Sequence, residues 1–186
     1  MTIVGVIIRL LLSVIFFRTA WHKFHDREDF QTELAAYQLI KKDSITFATM
    51  FLVVAETYTA LMLLNITSFI GPLLAATLLL LYAGAMAINL RKGKTDISCG
   101  CSGPLFSHRE AAKKMISWLL VLRNITLSCI AIFALPVSAS TAQVNSSLLI
   151  IFSGTACALL MYEAVEQALA NSQRYRQWLA RQVVKA

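Results

Sequence analysis

Five runs of apolar residues, separated by short joints, constrain this chain more than any other feature. They lie at about 3–21, 46–65, 69–90, 115–135 and 148–163. A helix needs about 20 mostly apolar residues to cross a bilayer, with a range of about 17–25. The fifth run is the shortest, and a tilted or partly interfacial helix is expected there. Within hydrocarbon every backbone N–H and C=O must find its partner inside its own segment, which selects helices. The expectation is an all-α fold: a polytopic membrane helical bundle occupying residues 1–186 as a single domain, with surface amphipathic helices. Composition agrees. At 58% hydrophobic and 15% charged, with mean hydropathy +0.65, the chain is too apolar for a soluble domain. The first run has no basic stretch before it and no small-x-small site after it, so it is expected to be retained rather than cleaved as a signal.

The net charge of +7 raises the question of nucleic acid, and the placement of the charge argues against it. The Lys and Arg residues lie mainly in alternate joints. Lys23, Arg27, Lys41 and Lys42 follow the first run, and Arg91, Lys92, Lys94, Arg109, Lys113 and Lys114 follow the third. Arg174, Arg176, Arg181 and Lys185 follow the fifth, while the joints near 65–69 and 136–147 carry no charge. By the positive-inside rule the basic joints are cytoplasmic and the N-terminus is outside. Trp21, Trp118 and Trp178 fall near the same face, at the headgroup level that tryptophan favours. The lipid bilayer is therefore the expected partner.

Two amphipathic helices are expected outside the spans. In the first joint Phe30, Leu34, Tyr37 and Leu39–Ile40 recur at near-helical spacing after Asp26, a reasonable N-cap, so this segment should cover the end of the bundle. Residues 164–185 are expected to form an interfacial helix on an anionic leaflet, although a solvated helix is equally compatible. Ser107 and Glu110 read as a capping box before the fourth run.

The reactive stretch is the loop 95–107, with Cys99-Gly100-Cys101-Ser102-Gly103-Pro104. Gly100, Gly103 and Pro104 shape a sharp turn. Residues two apart can bring their Cα atoms within the disulfide range of about 4.4–6.8 Å. The ring so closed is small and strained, which makes it labile. Nearby Arg91, Lys92 and Lys94 favour thiolates. Three readings stand: a redox pair formed by Cys99 and Cys101, a metal site with His108 and Asp96, or two incidental thiols. Structural zinc wants four N/S ligands and wider spacing, so the metal reading fits poorly and no metal is expected. Cys129 and Cys157 lie within apolar runs and are expected to be packing residues, with small residues such as Ala75, Ala83, Gly84, Ala87, Gly154 and Ala158 forming helix seams.

Arg9, Glu56 and Arg123 sit inside apolar runs, where charge is costly and marks pairing or function. Counted at about 1.5 Å per residue from the basic face, they fall about 18, 15 and 12 Å deep. Glu56 is therefore expected to neutralise Arg123, Arg9 or both, with Asn124 adding a hydrogen bond. Such a cluster either fixes packing or forms a polar pocket for a quinone headgroup or a proton path. No cofactor is certain, and a quinone is the one candidate. His22 and Lys23 share the side of the cysteine loop and are candidates for stabilising a thiolate, though rim residues are commonly only polar.

The residues Arg18-Thr19-Ala20-Trp21-His22-Lys23-Phe24, then Phe30, Tyr37 and Glu56, then Cys99-Gly100-Cys101-x-Gly103, resemble the methylamine-utilisation MauE family within the DoxX-like membrane proteins. Ser102 stands where that family is expected to carry an aromatic residue. The resemblance covers about residues 3–135. It implies a four-helix DoxX-like core, to which this chain would add a fifth C-terminal span, in the bacterial inner membrane. It also implies Cys99 and Cys101 as a redox pair, a thioredoxin-like partner, and a periplasmic methylamine dehydrogenase client whose maturation is assisted. The family setting places the cysteine loop in the periplasm, whereas the charges place it in the cytoplasm. The function expected is thus a membrane thiol–disulfide oxidoreductase or redox maturation factor. The alternatives are a non-enzymatic assembly or docking factor, and a metal-binding or small-solute membrane protein.

Overall fold

The first apolar run forms helix α1, Thr2–His25, and the computed structural model continues it well past the expected end at residue 21. The extension carries Lys23 on the same helix as the membrane run. A short helix α2, Arg27–Tyr37, follows at once, and a 3-10 turn at Lys42–Ser44 leads into α3, Ile45–Leu64. Then come α4, Ile70–Arg91, α5, Trp118–Phe133, and α6, Leu148–Lys185. The structure describes residues 2–65, 68–93, 116–134 and 148–185. Every regular element among them is helical. Three stretches, Ile3–His25, Lys42–Leu64 and Ile70–Arg91, are long and apolar enough to cross a membrane. Helix α5 is apolar but shorter, at 16 residues, or about 24 Å.

The direction of each helix follows from its contacts. Ser13 Oγ donates to Ala60 O at 2.9 Å, while Lys23 near the end of α1 reaches Glu56, so α1 and α3 run in opposite directions. Gly71 at the start of α4 lies against the end of α3. A Cβ there would come within 2.6 Å of the Met62 carbonyl oxygen, so only glycine permits this approach. Ser128 of α5 donates to Ala76 O of α4 at 3.3 Å, while Leu120 and Val121 pack with Ala83 and Met86; α5 thus opposes α4. Gly154 of α6 seats on Ile7, and Glu163 meets Arg18, so α6 runs parallel to α1. The result alternates α1, α3, α4 and α5 up and down, with α6 laid alongside α1.

One core cluster joins Leu12 and Phe16 of α1 to Ala60 and Leu63 of α3, Ala75, Ala76, Leu78 and Leu79 of α4, and Leu127 and Ala131 of α5. Elsewhere large apolar side chains face outward: Phe47, Phe51, Val54 and Leu61 of α3, and Leu73, Leu80 and Leu81 of α4. A water-soluble protein rarely exposes so continuous an apolar surface, whereas a lipid-facing one must.

Several expectations are corrected here. Residues 164–185 are not a separate helix, because α6 runs unbroken from Leu148 to Lys185. Gly84 has nothing within 4 Å of its Cβ position and is not a seam, whereas Gly154 is. Cys129 and Cys157 are exposed rather than packed, because they lie on the outward arcs of α5 and α6. Asp26 stands at the N-cap of α2 without making a cap bond. Its carboxylate lies 3.5 Å from His22 Nε2 one turn back.

Candidate functional site

At the basic end of the bundle, α1, α3 and α4 each contribute one polar side chain to a shared buried point. Lys23 and Glu56 are each 1% exposed. Lys23 Nζ donates to Glu56 Oε1 at 2.5 Å and to the Tyr82 hydroxyl at 3.0 Å. The Tyr82 hydroxyl in turn donates to the same Oε1 at 2.5 Å. The ammonium also sits 4.9 Å from the Phe30 ring centroid and 4.5 Å from that of Tyr82. Phe30 comes from α2, which fulfils the expectation that the first joint is helical and covers the bundle end. Tyr37, a buried residue of the same helix, joins Ala83, Met86, Ile116, Leu120 and Val121 in a second core cluster.

The arrangement is a neutral ion pair held in apolar surroundings by a phenol and two aromatic faces. Desolvating both charges is costly, and the mutual attraction, the short hydrogen bonds and the cation–π contacts offset that cost. Among the described residues the pairing is incomplete. Glu56 Oε2, Asn89 Oδ1 and Asn124 Nδ2 are buried with no hydrogen-bond partner.

The expected cluster of Arg9, Glu56, Arg123 and Asn124 is therefore not formed as drawn. Glu56 takes Lys23, because α1 extends a full turn beyond its expected end and delivers the ammonium to the level of α3 residue 56. Arg9 lies at the opposite end. It donates to backbone carbonyls: Ala134 O through Nε at 3.2 Å and Nη2 at 3.1 Å, Asn65 O at 3.0 Å and Ser68 O at 2.8 Å. Asn65 and Ala134 are the C-caps of α3 and α5, where a helix cannot satisfy all its own carbonyls, and Ser68 lies in the joint before α4. Arg123 pairs with Glu166 of α6 and donates to Asn124 Oδ1 from Nε at 3.3 Å and Nη2 at 3.1 Å. Glu56 and Arg123 thus have different ion-pair partners.

Lys23, expected as a thiolate stabiliser, is turned inward onto Glu56, while His22 stays at the rim beside Asp26. Cys99, Gly100, Cys101, Gly103 and Pro104 lie outside the described residues, as do Ser107 and Glu110 of the expected capping box. The helices flanking that loop end together. Arg91 closes α4 and Trp118 opens α5 at the end where Lys23 and α2 are found.

Sequence reasoning missed Tyr82, Glu163 and Glu166. Tyr82 is a hydroxyl within an otherwise apolar run, a signal that was available. Glu163 and Glu166 are three residues apart and hence on one face of α6. They pair with Arg18 and Arg123 and are themselves 6% and 5% exposed. Two carboxylates at helical spacing directly after an apolar run are the pattern that could have revealed them.

Residues 1–137, which contain α1 to α5 and end before α6, match the family described as Methylamine utilisation protein MauE. A Methylamine utilization protein MauE of Paracoccus denitrificans is 33% identical over 127 residues, 67% of this chain and 64% of that protein. One of Paracoccus versutus is 31% identical over 128 residues, 68% of this chain and 66% of that protein. One of Methylorubrum extorquens is 43% identical over 54 residues, 29% of this chain and 26% of that protein. The chain thus spans just under two thirds of the length of the first two relatives, at 64% and 66%. No solved structure matches it.

Proposed function

The chain belongs to the MauE family, and from that premise we propose that it is a multi-pass inner-membrane protein of methylamine utilisation, acting as a thiol–disulfide oxidoreductase through Cys99 and Cys101. In this reading α1, α3, α4 and α5 are the four-helix DoxX-like core and α6 is the added fifth span. The N-terminus lies outside, and the basic end carrying the cysteine loop lies on the cytoplasmic side. The observation that carries the reading is the Cys99-Gly100-Cys101 spacing in a segment whose two flanking helices end side by side at the basic end of the bundle. Two thiols one residue apart in sequence are within reach of a shared disulfide.

The exchange runs in two balanced steps. The thiolate of one cysteine attacks a partner disulfide, forming a mixed disulfide and releasing one partner thiolate. The second cysteine attacks that mixed disulfide, closing the Cys99–Cys101 bond and releasing the second partner thiolate. Two electrons pass to the partner, and the reverse sequence oxidises it. A thioredoxin-like protein on the cytoplasmic side is the partner that fits this chemistry, and a periplasmic methylamine dehydrogenase client, suggested by the family's part in methylamine use, would be served by passing the electrons across the membrane.

Replacing Cys101 with Ser blocks the second step. The expected result is a mixed disulfide that survives denaturing, non-reducing electrophoresis and disappears with reductant, together with loss of function in cells growing on methylamine. Full function with no trapped species rejects the proposal. Maleimide labelling of Cys99 and Cys101 from each side of the membrane, before and after reduction, reads sidedness and oxidation state together.

A further inference from the structure

Helices α1, α3, α4 and α5 each give one polar side chain to a single layer of the bundle. The first core cluster includes Ala60 of α3, Leu79 of α4 and Leu127 of α5, and the second includes Ala83 of α4 and Val121 of α5. Tyr82 and Asn124 fall between the two clusters, Tyr82 just before Ala83 and Asn124 midway between Val121 and Leu127. Glu56 lies one helical turn from Ala60 toward the basic end, and Lys23 reaches the layer from α1 through its bond to Glu56. The layer is thus a polar slice with apolar packing on either side of it.

Two atoms of this layer are left over, and they are complementary. Glu56 Oε1 takes the bonds from Lys23 and Tyr82, and Oε2 is buried as an acceptor without a partner. Asn124 Oδ1 takes bonds from Arg123 Nε and Nη2. A guanidinium only donates, so this contact fixes which way round the amide sits. Its oxygen faces Arg123, and Nδ2 is buried as a donor without a partner. Glu56 and Asn124 are each 1% exposed, so bulk water does not serve either atom. One stranded buried polar atom lowers a folding constant by about tenfold, and here there are two. Asn89 Oδ1, the third such atom, belongs to another layer, because Asn89 lies seven residues past Tyr82, two turns nearer the basic end.

The chemistry of this pair selects what can sit between them. An ammonium or a metal ion has nothing to accept the Asn124 N–H. An anion has nothing to donate to the carboxylate and is repelled by it. The occupant must both donate and accept, carry no charge, and be small enough to lie between two packed clusters. We propose that Glu56 Oε2 and Asn124 Nδ2 together bind one buried water molecule, which donates to the carboxylate and accepts from the amide. Buried waters commonly satisfy polar groups of this kind, and two partners are enough to hold one. The water completes a chain from Glu166 of α6 through Arg123 and Asn124 of α5 to Glu56, Lys23 and Tyr82. Helix α6 is thereby joined to the buried ion pair of the core. The inference does not depend on the thiol chemistry.

The test is a crystal structure of the full chain grown from a lipid phase, at a resolution that shows ordered water. One isolated peak about 2.8 Å from both Glu56 Oε2 and Asn124 Nδ2 is expected. The same map overturns the proposal if it shows no peak, a direct Asn124–Glu56 hydrogen bond, or the extended density of an organic molecule. Two variants ask whether the amide is a ligand of the water. Asn124→Leu should remove the peak. Ser128→Ala deletes a buried hydroxyl one turn along the same helix, outside the layer, and should keep it. The parent map decides alone if Asn124→Leu does not fold. A peak that survives Asn124→Leu, or one lost equally in both variants, would overturn the assignment.

Discussion

Replacing Lys23 with Met should cost about 3–5 kcal/mol of folding stability, because it leaves a buried carboxylate with no counter-charge. The structure sets the size of the effect. Both partners are 1% exposed, so water does not replace the lost ammonium. Glu56 would keep only the Tyr82 hydroxyl on Oε1, and its Oε2 already lacks a partner among the described residues. Glu56→Met should cost a similar amount by stranding the ammonium between two aromatic faces. The paired change Lys23→Met/Glu56→Met removes both charges and puts side chains of similar length in their place. Such replacements are commonly neutral or stabilising, so the double variant should lie within about 1 kcal/mol of the parent. The coupling in the cycle is then at least about 5 kcal/mol. Tyr82→Phe removes one hydroxyl that both donates and accepts, for about 1.5–3 kcal/mol. The assay is equilibrium unfolding of purified protein in mixed micelles as the SDS fraction rises, followed by the helical circular dichroism signal. Additive single costs would refute the reasoning, since independent sites add and a buried ion pair cannot. A loss below about 1 kcal/mol for Lys23→Met would show that water reaches the site.

Gly71→Ala should destabilise by about 1–3 kcal/mol, since the new Cβ meets the Met62 carbonyl oxygen at 2.6 Å, while Gly84→Ala, with open space, should be neutral or gain up to about 1 kcal/mol of helix propensity; the same unfolding titration ranks them. Arg9→Met takes the guanidinium away from the Ala134 and Ser68 carbonyls, while Asn65 O keeps the Ser68 N–H, and should cost about 1–3 kcal/mol, with Arg9→Lys intermediate because one ammonium cannot span Ala134, Asn65 and Ser68 together. Cys129→Ala and Cys157→Ala should each stay within about 0.5 kcal/mol of the parent, as outward-facing positions do. Arg123→Glu should open α6 to protease digestion, and adding Glu166→Arg should restore protection, because the reversed pair is again neutral.

The helices were legible because hydrocarbon leaves the backbone no other choice, and runs of apolar residues report that constraint directly. The covering role of α2 was legible too, in the spacing of Phe30 and Tyr37, both of which are buried. Pairing was not legible. Depth counted from the basic face put Arg9, Glu56 and Arg123 within a few ångströms of one level, yet depth is one coordinate of three. Glu56 takes Lys23 because their faces meet, and Arg123 turns to α6 because Glu166 faces it there. An error of one turn at the end of α1 was enough to hide Lys23, which counted as a surface residue when the span was stopped at residue 21.

The same reasoning explains why α6 matters to the helices that precede it. The family match stops at residue 137, and the charges of Arg18 and Arg123 fall inside it, while the carboxylates that neutralise them fall outside. An arginine just below the headgroups can extend its charge outward to water at little cost. Arg123 does not do so: its side chain is 12% exposed and bound on one side by Asn124 and on the other by Glu166. Its guanidinium is therefore committed to holding α6 against α5, and α5 begins directly after the segment that carries Cys99 and Cys101. Helix α6 is thus tied to two helices whose ends frame the basic face, α1 through Arg18 and α5 through Arg123, and removing either glutamate loosens one of those ties.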